Sequence, residues 1–543
     1  MIRVPPKGPD NADIMIVGEA PGSEEEKRME PFVGSSGQEL TKMLHEAGIA
    51  RTECFITNVC KTRPPGNEIK KYYSKFTNTT RIPGPELTQG IEELREEIRR
   101  VNPKLIIALG DTPLWALTGE RGITKWRGSL LEAEGCPVLP TYHPAAILRM
   151  WSWRFIAVHD LRRAKRYLDT GFPKPEYMFT IRPSFGTAME ILKNLEVKLN
   201  AMPMHLSVDI ETRDKHIACI GIGWSKTEAI CIPFMCVENV EGYWTLEEET
   251  AIVSMLFKVL THPNIRVSGQ NFIYDLQYLA RRWGLTTDLW IDTMIAHAVC
   301  FPSMPKGLDF LSSMYCEYHK YWKDESKEWD PKLGEEQLWI YNCKDCVVTW
   351  EVAETLDRVI DKLELRKQFD MKMDEVHPVL RMMLRGTLID RKRRDSMMWE
   401  LQEAMQEREQ FFESLDVDGG LQLVKSKNAK RWYRSPVQQV RLFYEFYGVK
   451  PIRNRKTGRP TVDDEALPVI AKREPLLAPI CDRMVEYRSL GVFLNTFVMA
   501  PLDHDFRMRC SYNPVGTETF RFNSSADAFG FGTNLQNIPK GDE

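Results

Sequence analysis

Leu206-Ser-Val-Asp-Ile-Glu-Thr212 is the stretch on which the reading of this chain turns. It reads as a buried strand, and a strand turns residues i and i+2 to the same face. Asp209 and Glu211 would therefore project together, about 7 Å apart. Two further acids lie in or beside apolar segments: Asp275 in Asn271-Phe-Ile-Tyr-Asp275 and Asp345 in Tyr341-Asn-Cys-Lys-Asp345. Carboxylates are almost never buried without a partner, so a cluster of them implies a bound cation. An oxygen-only donor set suits Mg²⁺ or Mn²⁺. Tyr341 lies one helical turn before Asp345, which puts its hydroxyl on the same face.

The rest of the chain bounds what such a site can belong to. At 543 residues it predicts three or four domains. It is 43% hydrophobic and 27% charged, an ordinary globular composition. A net charge of −3 leaves no global basic footprint, so any nucleic-acid contact must come from local patches. The 12 cysteines are scattered in apolar contexts, which argues against a disulfide scaffold and for reduced thiols. Cys343 and Cys346 form a C-x-x-C with no second pair at metal-ligand spacing, and read as incidental. No apolar run reaches the roughly 18 residues of a membrane span, and the N-terminus lacks a signal-peptide pattern. The expectation is a cytoplasmic protein, in bacteria or in phage-infected cells, with no membrane partner.

Residues 1–170 alternate apolar strand-like runs, such as Asp13 to Gly18, Cys54 to Val59 and Leu105 to Gly110, with helical stretches. That alternation predicts an α/β sheet of parallel character. Lys71 to Pro85 reads as a surface loop and Pro173 to Pro183 as the centre of a linker over 171–200. A second α/β region covers 201–365, with strands at 204–211, 217–224 and 228–234 and with Asp275, Asp292 and Asp345 on helical segments. Beyond 366 the period is helical. Met371, Met373, Met382, Met383, Met397, Met398 and Met405 read as adaptable core, and Arg391 to Glu413 as a long exposed helix. The final stretch, 511–543, turns strand-like and rich in loops.

The acidic segments, with Trp290-Ile-Asp-Thr-Met294 and Lys306-Gly-Leu-Asp-Phe-Leu311, resemble the motifs of the DEDDy 3′–5′ exonucleases, the proofreading domain of family A DNA polymerases. The resemblance implies an RNase H-like fold over 201–365. It makes Asp209, Glu211, Asp275 and Asp345 ligands of two Mg²⁺ or Mn²⁺ ions and Tyr341 the residue that positions water. Two such ions, about 3.5–4 Å apart, would polarise the phosphate and stabilise the leaving 3′ oxygen.

Upstream, Gly18-Glu-Ala-Pro-Gly22 follows a strand, and Pro31-Phe-Val-Gly34, Ile56-Thr-Asn-Val59 and Thr141-Tyr-His-Pro144 lie near strand ends or turns. A stacking ring, an amide and an imidazole are the groups that hold a flipped base. The set is similar to the uracil-DNA glycosylases, particularly family 4, over about 13–168. The resemblance implies that Phe32 stacks on uracil, Asn58 reads its edge, His143 stabilises the leaving base and Glu19 places water. Family 4 also carries a four-cysteine iron–sulfur cluster. Here Thr62 and Gly90 stand at or near expected ligand positions, which implies that the cluster is absent and leaves a DNA-binding module as the alternative to base excision.

Gly386-Thr-Leu-Ile-Asp390, Ser435 to Val440, Pro460 to Glu465 and Tyr487-Arg488 resemble the family A segment leading into the thumb. Thr517-Glu-Thr-Phe-Arg521 and Asn534-Leu-Gln-Asn-Ile-Pro539 resemble the start of the palm, with Phe520 in place of the usual glycine. A mainly helical thumb over 366–510 is implied, with DNA phosphates met by Lys425, Lys427, Lys430, Arg431, Arg434, Arg453, Arg455, Lys456, Arg459 and Arg521. The later palm and fingers motifs are not found. The expectation is therefore the N-terminal portion of a phage-type polymerase that edits a primer–template through its single-stranded 3′ end, either one half of a split enzyme whose second chain supplies palm and fingers or a truncated form of a longer one. The competing expectations are a DNA-binding scaffold of a split polymerase and a free-standing nuclease of the RNase D type.

Overall fold

The strand predicted over Leu206 to Thr212 is the central member of a six-stranded sheet in the computed structural model, which describes residues 2–77, 79–172, 174–239, 241–325, 330, 334–415 and 429–539. The chain divides into two units, Met1–Met373 and Asp374–Glu543.

The first unit holds two sheets. Ile14–Gly18, Cys54–Asn58, Leu105–Leu109 and Cys136–Thr141 run parallel, ordered Cys54–Asn58, Ile14–Gly18, Leu105–Leu109, Cys136–Thr141, with Leu131–Ala133 antiparallel at the edge. These strands are nearly continuous apolar runs because helices cover both faces. Gly18, Asn58 and Thr141 end their strands side by side, and that is where a parallel sheet leaves a crevice.

The second sheet runs Leu289–Asp292, Ile265–Gly269, Met204–Arg213, His216–Gly223, Glu228–Pro233, Met178–Thr180. Its middle three strands pair antiparallel and its flanks pair parallel. This is the mixed sheet expected of an RNase H-like exonuclease domain. Asp209 lies opposite Gly221 and Glu211 opposite Cys219. The helix Glu336–Lys362 crosses that same face. Ser207 Oγ donates to the Cys346 carbonyl at 2.8 Å, and a Cβ at Gly221 would lie 2.5 Å from Asn342 Oδ1 and 2.6 Å from Cys346 Sγ. Glycine is thus what lets the helix sit directly on the strand and bring Asp345 to Asp209. Cys343 and Cys346 are buried with Cys219 and Cys231 in an apolar cluster, in keeping with an incidental C-x-x-C.

In the second unit the helices Val376–Arg385, Arg391–Ser414, Ala466–Arg473 and Ala478–Phe493 are joined by loops, with one small hairpin, Ser511–Asn513 with Asn523–Ser525, and a short antiparallel pairing of Thr387–Leu388 with Arg507–Met508. Phe412, Trp432, Tyr433, Phe443 and Tyr487, with Met484, form the aromatic part of its core. Arg391–Ser414 is long and mostly exposed, as predicted.

Four local expectations are corrected. The presumed loop from Lys71 to Pro85 is a hairpin, Tyr73–Phe76 with Arg81–Pro83, because Tyr72 and Tyr73 bury their rings in the core. The presumed linker contains the edge strand Met178–Thr180 and the helix Phe185–Ala201, capped by Ser184 and packed through Leu192, Leu195 and Leu199. Asp292 ends a strand and caps the helix Thr293–Cys300. Of the methionines read as core, Met383 is buried, but Met371 and Met382 lie on the exposed side of their helices.

Gly221→Ala is expected to lower stability by about 1–3 kcal/mol through overpacking, read as a lower urea midpoint. An unchanged midpoint would mean that the helix does not need this contact.

Candidate nuclease site and base pocket

Asp209, Glu211 and Asp345 each place a carboxylate oxygen so that all lie within 4.8 Å of one another. Among the described residues this is the only grouping of three or more His, Cys, Asp or Glu able to hold a metal ion. Asn342, one turn before Asp345, donates from Nδ2 to Asp209 Oδ2 at 2.8 Å. Asp345 receives the Trp322 indole N–H on Oδ1 at 2.7 Å and the Lys323 ammonium on Oδ2. Lys323 Nζ also donates to Tyr341 Oη at 2.8 Å. Tyr341 and Asp345 therefore share a face, as the i, i+4 spacing predicts.

Asp275 is not part of the three-residue grouping. Its Oδ1 accepts the Ile210 N–H at 2.9 Å, between the two acids of the strand. Asp292 organises this side, accepting from the backbone N–H groups of Asn271, Phe272, Met294 and Ile295 and so fixing the start of the helix Ile273–Trp283 that carries Asp275.

Burial, then the neighbouring Asp345 charge, pushes Asp209 up to about 7. Burial, then Asp209, raises Glu211 and Asp275 well above the ordinary carboxylate range. Like charges confined in a low dielectric behave this way when no cation neutralises them. The donor set, all carboxylate oxygen, fits a hard divalent cation.

The first sheet builds a second site, a cavity of about 250 Å³ lined by Glu19, Phe32, Asn58 and His143 among others. All four residues predicted for the base pocket meet there. Phe32 has a positive φ of 54°, uncommon for an aromatic residue. Its loop is held from both sides. The Glu25 carboxylate accepts N–H bonds from Gly22, Val33 and Gly34 at 2.8–3.1 Å, and Arg51 donates to the carbonyls of Pro31 and Phe32. A Cβ on Gly18 would sit 2.5 Å from the Phe32 ring and block its approach to Asn58. His143 Nδ1 accepts the Ala145 N–H, which assigns the proton of the neutral ring to Nε2. Burial, then Arg149, lowers His143 to about 4, so the ring is neutral near pH 7. Burial raises Glu19, whose Oε2 accepts the Thr112 hydroxyl at 2.6 Å.

The residues do not fit an iron–sulfur cluster. The Thr62 hydroxyl is buried against Tyr72 Oη at 3.0 Å, and a Cβ at Gly90 would overlap the Val59 carbonyl. Cys60 is a buried thiol pushed up to about 12 by desolvation.

In the second unit, Arg455, Lys456 and Arg459 are exposed on one tight turn, where Arg453 donates to the Gly458 carbonyl. Arg431 and Arg521 are exposed too, but Arg434 is bound to Glu409 and Tyr487. Lys425, Lys427 and the Lys430 side chain lie outside the described residues. Phe520, at the usual glycine position, has φ of 59°. Sequence reasoning missed Trp322, Lys323, Asn342, Glu25 and Arg51 as functional supports. Asn342 lay within the quoted acidic motif, and Glu25, three residues after Gly22, sits at capping-box spacing that could have flagged it; Trp322, Lys323 and Arg51 carry no local signal, because their partners lie about 20 residues away in the chain.

Residues 5–165 match the uracil DNA glycosylase superfamily and residues 185–361 match the family described as 3′–5′ exonuclease. A type-4 uracil-DNA glycosylase of Thermotoga maritima is 39% identical over 169 residues, covering 30% of this chain and 81% of that protein. A DNA polymerase of Bacillus phage SP01 is 23% identical across 98% of this chain, which spans 63% of the polymerase. The POL domain of Pol1 from M. smegmatis, solved with DNA primer-template and dNTP, shares 18% identity and a TM-score of 0.46 over 67% of this chain and 56% of that one, a distance at which nothing about this chain follows from it.

Glu25→Ala removes the acceptor of three N–H groups, where a charged hydrogen bond contributes about 1.5–3 kcal/mol. Amide exchange at Val33 and Gly34 is expected to quicken by about 10–100-fold; unchanged protection would show that the loop is held without Glu25.

Proposed function

We infer a function from two facts: the chain belongs to the uracil-DNA glycosylase superfamily through its N-terminal region, and a 3′–5′ exonuclease domain follows in the same polypeptide. The reading is the editing portion of a family A DNA polymerase, in which single nucleotides are hydrolysed from a DNA 3′ end. The observation that carries it is the convergence of Asp209, Glu211 and Asp345 within 4.8 Å.

Those three carboxylates, with Asp275 beside them, would hold two Mg²⁺ or Mn²⁺ ions. Bound there, the ions supply Lewis-acid activation of water and charge stabilisation on the phosphate. The protein's own groups do the rest. The Tyr341 hydroxyl, held by Lys323, orients the attacking water. Oxygen adds to phosphorus, the bond to the 3′ oxygen breaks, and that oxygen leaves with a proton as the new 3′ hydroxyl. Asn342 and Trp322 fix the rotamers of Asp209 and Asp345 so that the geometry exists before DNA arrives. Arg455, Lys456 and Arg459 on their exposed turn, with Arg431, Arg453 and Arg521, would meet duplex phosphates, a contact weakened by salt. Polymerisation would need palm and fingers, supplied by the remainder of a longer protein or by a second chain.

The preserved pocket favours a second activity, removal of uracil. Phe32 supplies the stacking face and Asn58 an amide for the base edge. A neutral His143 donates from Nε2 to the oxygen on which charge develops as the glycosidic bond breaks.

With a 3′-labelled mismatched primer and Mg²⁺, the chain is expected to release mononucleotides. Asp209→Ala should slow release by a factor on the order of 10³. Shortening that survives this substitution would sink the nuclease reading. For the pocket, Asp209→Ala protein is incubated with uracil-containing single-stranded DNA and then alkali. Strand scission lost in His143→Ala is expected; an intact strand would leave a DNA-binding role.

A further inference from the structure

The groups that hold Asp345 come from a segment gripped by the glycosylase-like domain. Residues His319 to Asp324 lie between the helices Leu308–Tyr315 and Glu336–Lys362. The Leu130 N–H donates to the His319 carbonyl at 2.8 Å, and the Tyr321 N–H donates to Ser129 Oγ at 3.1 Å. The Tyr321 ring packs edge-on to Trp126 at 5.2 Å, in one buried cluster with Leu114. Lys125 Nζ pairs with Asp324 Oδ2 at 2.5 Å and lies over the Tyr321 ring. Tyr321 and Asp324 thus face the N-terminal domain. Trp322 and Lys323, between them, face the other way, onto Asp345 and Tyr341. The start of the same segment is held as well: buried Arg127 reaches Ser313 Oγ, Arg163 reaches the Ser313 and Cys316 carbonyls, and Tyr167 Oη reaches the Glu317 carbonyl.

We propose that Trp322 and Lys323 are positioning residues of the nuclease site, set in place by the glycosylase-like domain through the strap His319 to Asp324. The proposal rests on the nuclease reading. Lys323 sets the orientation of Asp345 and of the Tyr341 hydroxyl, and its ammonium shares Asp345 with any arriving cation. Displacing the strap from the N-terminal side therefore changes both the affinity of the carboxylates for a cation and the rate of hydrolysis, although no pocket residue of either domain has been altered. A strap held by the N-terminal domain on one side and touching the nuclease carboxylates on the other couples the two, by about 5–150-fold in equilibrium constant where such coupling operates.

The test uses the full chain and free Mn²⁺, counted by its electron paramagnetic resonance signal. Lys323→Met keeps the stem and removes the charge. Lys125→Glu repels Asp324 from a side chain that is 39% exposed, so folding is spared. Both are expected to tighten Mn²⁺ binding about fivefold or more, because an ammonium no longer competes for Asp345. Both should lower kcat for 3′-end release while KM moves little. Adding Asp324→Lys to Lys125→Glu restores the ion pair with reversed sign and should return both readouts toward wild type. The proposal is overturned if Lys125→Glu leaves Mn²⁺ affinity and kcat at wild-type values, or if Lys323→Met does. A wild-type chain that neither binds Mn²⁺ nor shortens DNA would instead remove the nuclease reading beneath it.

Discussion

Confining several carboxylates of one sign in a dry place is the constraint on which the centre of this protein depends. Within 4.8 Å of one another, the ionised carboxylates of Asp209, Glu211 and Asp345 repel by at least about 3.5 kcal/mol per pair at an effective dielectric constant near 20. The fold offsets part of this with single donors: an amide from Asn342, an indole N–H from Trp322, a backbone N–H from Ile210 on Asp275, and the ammonium of Lys323. Burial first, and then the repulsion left unopposed, raises the affinity of these carboxyls for protons. A site in that condition takes up cations readily. The glycines of the strand His216–Gly223 matter for the same reason, since only a helix seated directly on the sheet brings Asp345 close enough to create the demand.

The pocket at the end of the first sheet follows the opposite design. It keeps charge low. His143 is neutral, Glu19 is buried against a hydroxyl, and the Phe32 ring is presented by a left-handed turn held by Arg51 and by Glu25, whose side chain also lines the cavity. The residues leave no place for the four-cysteine iron–sulfur cluster that the family 4 resemblance implies: Thr62 bonds to Tyr72 and Gly90 makes room for a carbonyl.

How far the sequence could be read depended on the range of the interactions. Strand and helix periods paired Asp209 with Glu211 and Tyr341 with Asp345, the resemblance to the exonuclease motifs joined the two pairs into one site, and the same periods placed the parallel strands whose ends form the pocket. Boundaries failed where tertiary burial overrode local composition. The hairpin at Tyr73 looked like a loop until Tyr72 and Tyr73 found a core, and the linker hid an edge strand whose pairing partner, Glu228–Pro233, lies some fifty residues away. Lys323 was invisible for the same reason. The groups it meets in the nuclease site, Tyr341 and Asp345, lie on the next helix.

Arg127 and Arg163 bear on modularity. Their guanidinium groups are almost wholly enclosed, and they spend donors on Ser313 and Cys316, residues of the neighbouring domain. A gene fragment ending near residue 170 would encode every member of the base pocket. It would also strip two buried cations of acceptors and open Trp126 and Leu114 to water. The two sequence families are separable as text, whereas the folded pieces are not interchangeable cassettes. Grafting this glycosylase-like domain elsewhere would require a host that supplies the carbonyls and the hydroxyl now provided by its nuclease neighbour.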